Sequence, residues 1–142
     1  AQQALAIPDR YDLLIIDGPA RTSQGTLEMA RVATLVVQPT GASLDDLRPA
    51  VREFHALVQA GVPKDKLIFA LNHIGTEAEA HDAREYLAEA GYAILSGHLP
   101  ERPGYRKAQN LGYAITETRF SGLNEKADAL VQALIDRVAD HG

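Results

Sequence analysis

Short, unbroken apolar runs alternate along the chain with longer stretches in which apolar residues recur every three or four positions. The runs are Leu13-Leu14-Ile15-Ile16, Leu35-Val36-Val37, Leu67-Ile68-Phe69-Ala70-Leu71 and, more weakly, Ala93-Ile94-Leu95. Runs that are continuously apolar predict strands covered on both faces. Turn residues follow each one: Asp17-Gly18-Pro19, Pro39-Thr40-Gly41, Asn72-His73 and Ser96-Gly97. The stretches between them predict helices. Asp45 or Asp46 can cap one that begins near Leu47, has Pro49 in its first turn, and runs through Val51, Phe54, Leu57 and Val58 to a stop at Gly61-Val62-Pro63. Thr76 opens the next, with Ala83, Tyr86, Leu87 and Ala90 on one side and Gly91 as its end. Residues 102–111 predict a shorter helix closed by Gly112. The last helix carries Ala127, Leu130, Val131, Leu134, Ile135 and Val138 at helical spacing. The order β-α-β-α-β-α-β-α-α predicts an α/β fold of parallel strands joined by helical crossovers, in a single domain over residues 1–142.

Composition narrows the chemistry. With 142 residues, 46% of them hydrophobic and 23% charged, the chain is ordinary for one globular domain. There is no cysteine, which excludes disulfide frameworks, thiolate zinc sites and cysteine nucleophiles. The net charge of −5 excludes a globally basic nucleic-acid binder, so a nucleic-acid contact needs a local basic patch. The longest apolar runs are far shorter than a membrane span, and residues 1–5 lack the pattern of a secretory signal, which predicts a cytoplasmic protein. None of the histidines (55, 73, 81, 98 and 141) makes a zinc-binding spacing, and neither Ser43 nor Ser121 sits in a nucleophile elbow. His55 reads as a boundary residue of its helix and His73 as a surface-loop residue. Glu77, Glu79, Asp82 and Glu85, with Arg84, read as a solvated helix face.

The sharpest chemical feature is Tyr11-Asp12-Leu13-Leu14-Ile15-Ile16-Asp17-Gly18-Pro19-Ala20. A buried strand ending in a lone aspartate places a carboxylate at the carboxyl edge of the sheet, where open α/β sheets bind ligands. There it can be a turn former or can hold Mg²⁺, which takes hard oxygen ligands and keeps part of its water shell. The densest basic stretch is Arg102-Pro103-Gly104-Tyr105-Arg106-Lys107, readable as ordinary surface charge or as a phosphate contact, with Arg119 and Lys126 as extensions. The last helix has one arginine against two aspartates over residues 130–140 and no aromatic, which predicts packing on the domain and no membrane binding.

In order along the chain come Asp17, Val37-Gln38-Pro39-Thr40, Ser43-Leu44-Asp45, Asn72 at a strand end, and Leu99-Pro100. In this order the sequence resembles the ParA/MinD-type deviant-Walker P-loop ATPases, and most closely the ParA-like partition proteins, from about residue 11 to the end. The resemblance implies a three-layer P-loop NTPase-like fold with a mostly parallel sheet. It implies that Asp17 is the Walker B aspartate organising Mg²⁺ through water, and that Asn72, Leu99 and Pro100 bind the adenine of ATP. The family's glycine-rich phosphate loop ends in Gly-Lys, a pair that occurs nowhere here, and its water-positioning aspartate also lies upstream. The chain therefore reads as the family's C-terminal two-thirds without the phosphate-loop strand and helix, and no catalytic residue is assigned within it. The helix-like start at residues 2–7 and the lack of an initial methionine favour a fragment, in which strands flanking the missing one expose unpaired edges; a stand-alone relative that has lost nucleotide chemistry is the other possibility.

As activity, the resemblance implies ATP-driven homodimerisation, nonspecific DNA binding by the dimer through residues such as Arg102, Arg106 and Lys107, and hydrolysis stimulated by a ParB-like partner. Two alternatives stand beside it. One is an ATP-dependent biosynthetic ligase of the same fold, similar to dethiobiotin synthetase. The other is a non-catalytic relative or a receiver-like signalling domain, which the missing acidic pair and lysine fit poorly.

Overall fold

A computed structural model describes residues 13–18 and 24–141. The elements are α1 (Gln24–Val32), β1 (Val36–Thr40), α2 (Leu44–Gln59), a single 3₁₀ turn (Lys64–Lys66), β2 (Leu67–Leu71), α3 (Glu77–Glu89), β3 (Ala93–Ile94), α4 (Pro103–Asn110) and α5 (Ser121–His141). The three strands form one sheet in the order β1-β2-β3, every pair parallel. Val36 lies beside Leu67 and Thr40 beside Leu71, while Ile68 lies beside Ala93. The chain is thus α/β, as the alternation of runs and stripes predicts.

β2 explains why its sequence reads as an unbroken apolar run. All five of its residues are buried, and they alternate between two cores. Leu67, Phe69 and Leu71 face a cluster built by Leu47, Ala50, Val51, Phe54 and Leu57 of α2, Ala80, Ala83 and Leu87 of α3, and Ala30 of α1. Ile68 and Ala70 face the other way, onto Leu95 and onto Leu130, Ala133 and Leu134 of α5. Both crossover helices lie on one face of the sheet and α5 covers the other. In the first core Phe54, Phe69 and Tyr92 form an aromatic trio with centroids 4.3 to 5.7 Å apart, Phe54 tilted against the other two and Phe69 edge-on to Tyr92. His55 is exposed, yet its ring Nδ1 lies against the Tyr92 hydroxyl.

Local signals set most boundaries. Thr76 caps α3: its Oγ1 accepts from the Glu79 N–H at 3.1 Å, while the Glu79 carboxylate accepts from the Gly75 N–H at 3.0 Å. Gly91 ends the same helix at φ +92°, a conformation only glycine adopts without strain. Two expectations need correction. α2 starts at Leu44 with Ser43 as its N-cap, earlier than the Asp45 or Asp46 cap predicts, so Pro49 lies inside the helix beyond its first turn. The Leu47 N–H already bonds the Ser43 carbonyl at 2.9 Å, which starts the ladder a turn early.

The second correction is larger. Residues 13–18 form no strand; Leu13, Leu14 and Ile15 are 52%, 36% and 79% exposed. A single extended segment has no ladder unless a neighbour supplies one, and β1 is the edge of this sheet. The Thr40 carbonyl accepts from the Asn72 N–H at 2.9 Å, so Thr40, Gln38 and Val36 direct their backbone groups toward β2 while Val37 and Pro39 direct theirs outward. Among the described residues no strand pairs with this side of β1, so Pro39, which has no N–H, occupies an outward edge position. Tyr11, Asp12, Pro19 and Ala20 of the aspartate motif, and residues 2–7, lie outside the described residues.

Candidate functional site

The carboxyl ends of the three parallel strands converge at one edge of the sheet, the region where such folds bind ligands. At the end of β1, Thr40 is 6% exposed and its hydroxyl donates to the Gly41 carbonyl at 3.1 Å. Its own carbonyl holds the Asn72 N–H, carrying the β1–β2 ladder one residue beyond β2. Asn72 is half-buried, and its Oδ1 accepts from the His73 N–H at 2.9 Å. His73 adopts φ +52°, turning the chain so that Ile74 dives back into the core at 1% exposure.

Ile74 is the anchor for the second half of the site. Its N–H donates to the Leu99 carbonyl at 3.0 Å, and its carbonyl accepts from the Glu101 N–H at 2.8 Å. The Leu99 N–H donates in turn to the Leu71 carbonyl at 3.1 Å. Residues 99–101 are thereby stitched alongside residues 71–74, and Pro100 makes a parallel bridge with Ile74. Asn72, Leu99 and Pro100, far apart in sequence, are brought to one edge.

A residue that sequence reasoning misses holds the approach to this edge. Arg84 donates through Nη1 to the Leu95 carbonyl at 3.2 Å and through Nη2 to the Gly97 carbonyl at 2.6 Å. Its guanidinium fastens the turn after β3 to α3, two residues before Leu99. His98 lies against the same helix, its Nε2 3.5 Å from Glu77 Oε1. The expectation of a solvated face holds for Glu77, Glu79, Asp82 and Glu85, all exposed, with Glu85 pairing with His81 at 3.0 Å. It fails for Arg84. The signal was present in the spacing: Arg84 falls four residues after Ala80 and three before Leu87, both buried, so it sits on the core stripe.

A groove of about 270 Å³ opens between the end of β1 and the first turns of α2, lined by Gln38, Thr40, Gly41, Asp45, Asp46 and Glu53 among others. Gln38 Nε2 donates to Glu53 at 2.9 Å, and Ser43 Oγ to Asp46 at 3.1 Å. Three carboxylates and no lysine or arginine line this groove, which makes it hostile to phosphates. Asp17 is exposed and lines neither this groove nor a second one of about 300 Å³ between the sheet and α5, lined in part by Ser96, Asp136, Arg137 and Asp140. Among the described residues no group of three histidine, aspartate or glutamate side chains is placed to hold a metal. Neither groove is lined by Asn72, Leu99 or Pro100.

Arg102, Arg106 and Lys107 are all exposed, because Gly104, Tyr105 and Ala108 turn the opposite side of α4 inward. The Tyr105 hydroxyl donates to the Leu123 carbonyl at 2.9 Å, pinning α4 to α5. Burial pushes the Tyr105 phenol above its ordinary range, and the Arg102 guanidinium pulls it partly back. Among the described residues no helix is long and apolar enough to cross a membrane. α5 packs on the domain through Ala127 and Leu130, as its charge pattern predicts. No protein-family model matches the chain, and no curated protein matches it.

Proposed function

We propose that this chain acts as a ParA-like ATPase of the P-loop NTPase-like fold, working in the cytoplasm to partition or position plasmid or chromosomal DNA. With ATP and Mg²⁺ it forms a homodimer, the dimer holds DNA nonspecifically, and a ParB-like partner stimulates hydrolysis. The observation that carries this reading is the joining of residues 99–101 to residues 71–74, which gathers Asn72, Leu99 and Pro100 at the carboxyl edge of a parallel sheet. An amide side chain there can donate to a base edge through Nδ2, and the partly exposed Leu99, backed by the buried Pro100, can cover the apolar face of the ring. The outer edge of β1, unpaired among the described residues, and the exposed side chains of residues 13–15 also suit a sheet that takes a further strand beside β1.

Bound ATP and Mg²⁺ would supply the phosphoanhydride and its charge-neutralising cation. On the side of this chain, Asn72 orients the base, Leu99 and Pro100 exclude water from it, and Asp17 holds a water of the hydrated Mg²⁺. No hydrolytic step is assigned to these residues, since none of them cradles phosphate. The test is an amide-resolved NMR titration with ATP and Mg²⁺. Shifts confined to residues 72–74 and 98–101, abolished by Asn72→Ala, support the reading. Shifts that avoid those residues, or no shifts at all, overturn it.

A further inference from the structure

α4 and the loop that follows it carry a surface whose composition differs from the rest of the molecule. Residues 102–120 hold four arginines or lysines (Arg102, Arg106, Lys107 and Arg119) against a single acid, Glu117, in a chain whose net charge is −5. The same stretch displays large apolar side chains to solvent: Leu111 is 73% exposed, Tyr113 55% and Phe120 50%. Isolated exposed apolar residues are ordinary. Here three of them follow one another on the 111–120 loop with Arg119, next in the chain to a helix that exposes Arg102, Arg106 and Lys107.

The loop is ordered by its own hydrogen bonds. Gly112, at φ +84°, closes α4 by donating from its N–H to the Gln109 carbonyl, while the Tyr113 N–H donates to the Ala108 carbonyl at 2.9 Å. The Ala114 N–H donates to the Glu117 carboxylate at 3.1 Å, which occupies the one acid of the stretch. Asn124 of α5 accepts from the Thr118 N–H at 2.7 Å and donates to the Thr118 carbonyl at 2.9 Å. The Thr118 hydroxyl accepts from the Phe120 N–H at 3.1 Å. Phe120 packs one edge beside Gly104 and carries the Arg119 guanidinium 6.0 Å from its ring centroid. The backbone that carries both rings is therefore ordered before any partner arrives, and Phe120 is further set by its packing beside Gly104, which lowers the ordering entropy that opposes binding.

Fixed rings interleaved with cations match single-stranded nucleic acid, whose unpaired bases stack on aromatic faces while its phosphates meet arginine and lysine. A duplex would use only the cations, because its bases are already stacked on one another. We infer that α4 and the 111–120 loop form a stacking platform for single-stranded nucleic acid, with Tyr113 and Phe120 taking bases and Arg106, Lys107 and Arg119 taking phosphates. The inference rests on the reading of the 102–107 segment as a nucleic-acid contact, and it deepens that reading by naming the form of nucleic acid preferred.

The test is fluorescence anisotropy of labelled oligonucleotides of about 15 nucleotides. Single strands of deoxythymidine, single strands of uridine and a mixed-sequence duplex are compared from about 50 to 200 mM salt. Single strands are expected to bind about tenfold more tightly than the duplex. Tyr113→Leu and Phe120→Leu, which keep apolar volume but remove the π-face, should each weaken single-strand binding about five- to tenfold and leave the duplex unchanged. Arg106→Ala and Lys107→Ala should weaken both forms and lower the salt dependence of each. If Phe120→Leu fails to fold, Tyr113→Leu decides the matter, since its side chain is half in solvent. Equal binding of both forms with no effect of the leucine variants overturns the stacking platform but leaves the charged nucleic-acid contact standing. Failure to bind either form at low salt, with ATP and Mg²⁺ present, overturns both. Binding to vesicles of anionic lipid with no oligonucleotide binding also overturns it, and assigns the patch to a membrane surface.

Discussion

At Gly104, in the first turn of α4, an added Cβ would stand 2.7 Å from Leu123 Cδ1 and 3.0 Å from Phe120 Cδ2. Two effects compete there. Alanine gains roughly 1 kcal/mol of helix propensity over glycine, and the Leu123 methyl is the free end of a side chain that can rotate away. Gly104→Ala should therefore be close to neutral. Gly104→Val adds two methyls where Phe120 also presses, and should cost about 1–3 kcal/mol by overpacking, read from the urea midpoint. The buried phenols of Tyr92 and Tyr105 make a second prediction. Burial raises both above the ordinary tyrosine value of about 10, so the folded state resists losing their protons more than the unfolded state does. Their contribution is complete below pH 10 and is lost as the pH rises above it. Thermal melts should thus fall steeply above about pH 10, and Tyr92→Phe should flatten that fall.

At the scale of elements, β1 shows how one residue type governs an edge. Val37 and Pro39 present their backbone groups outward, and proline supplies no donor there. Edge strands are templates for pairing with other chains, and proline is one of the devices that blunts them. Pro39→Thr restores an outward N–H without disturbing the ladder to β2. Its expected outcome is increased self-association by light scattering and sedimentation, with an unchanged urea midpoint in dilute solution. The helices were more legible than the strands. Thr76, Gly91 and Gly112 mark their ends through local geometry, which is written in a few consecutive residues. The role of Arg84 was not, because the Leu95 and Gly97 carbonyls it holds come from another part of the chain.

Across the whole molecule, apolar residues divide into two populations that look alike in sequence. Leu87 is fully buried between α2, β2 and Tyr92, and Leu87→Ala should cost about 2–5 kcal/mol. Ile15 sits in an equally apolar run but is 79% exposed, so Ile15→Ala should change stability by less than about 0.5 kcal/mol. Denaturant titrations of the two variants side by side test that division. A large loss for Ile15→Ala would mean that residues 13–16 pack in solution against something the sheet described above does not provide.

The sequence alone determined the alternation of strands and helices, the two-faced burial of β2, the places where helices stop, and the residue types available at the carboxyl edge. Each of these follows from periodicity or from local backbone geometry, which operates over a few residues. Only the tertiary structure decided that the 13–16 run stays outside the sheet, that Arg84 works on backbone carbonyls, and that residues 99–101 lie against residues 71–74. Those outcomes depend on which hydrogen-bond and packing partners the rest of the chain supplies. An apolar run states that it will be buried if covered; whether a cover exists is a property of the whole fold.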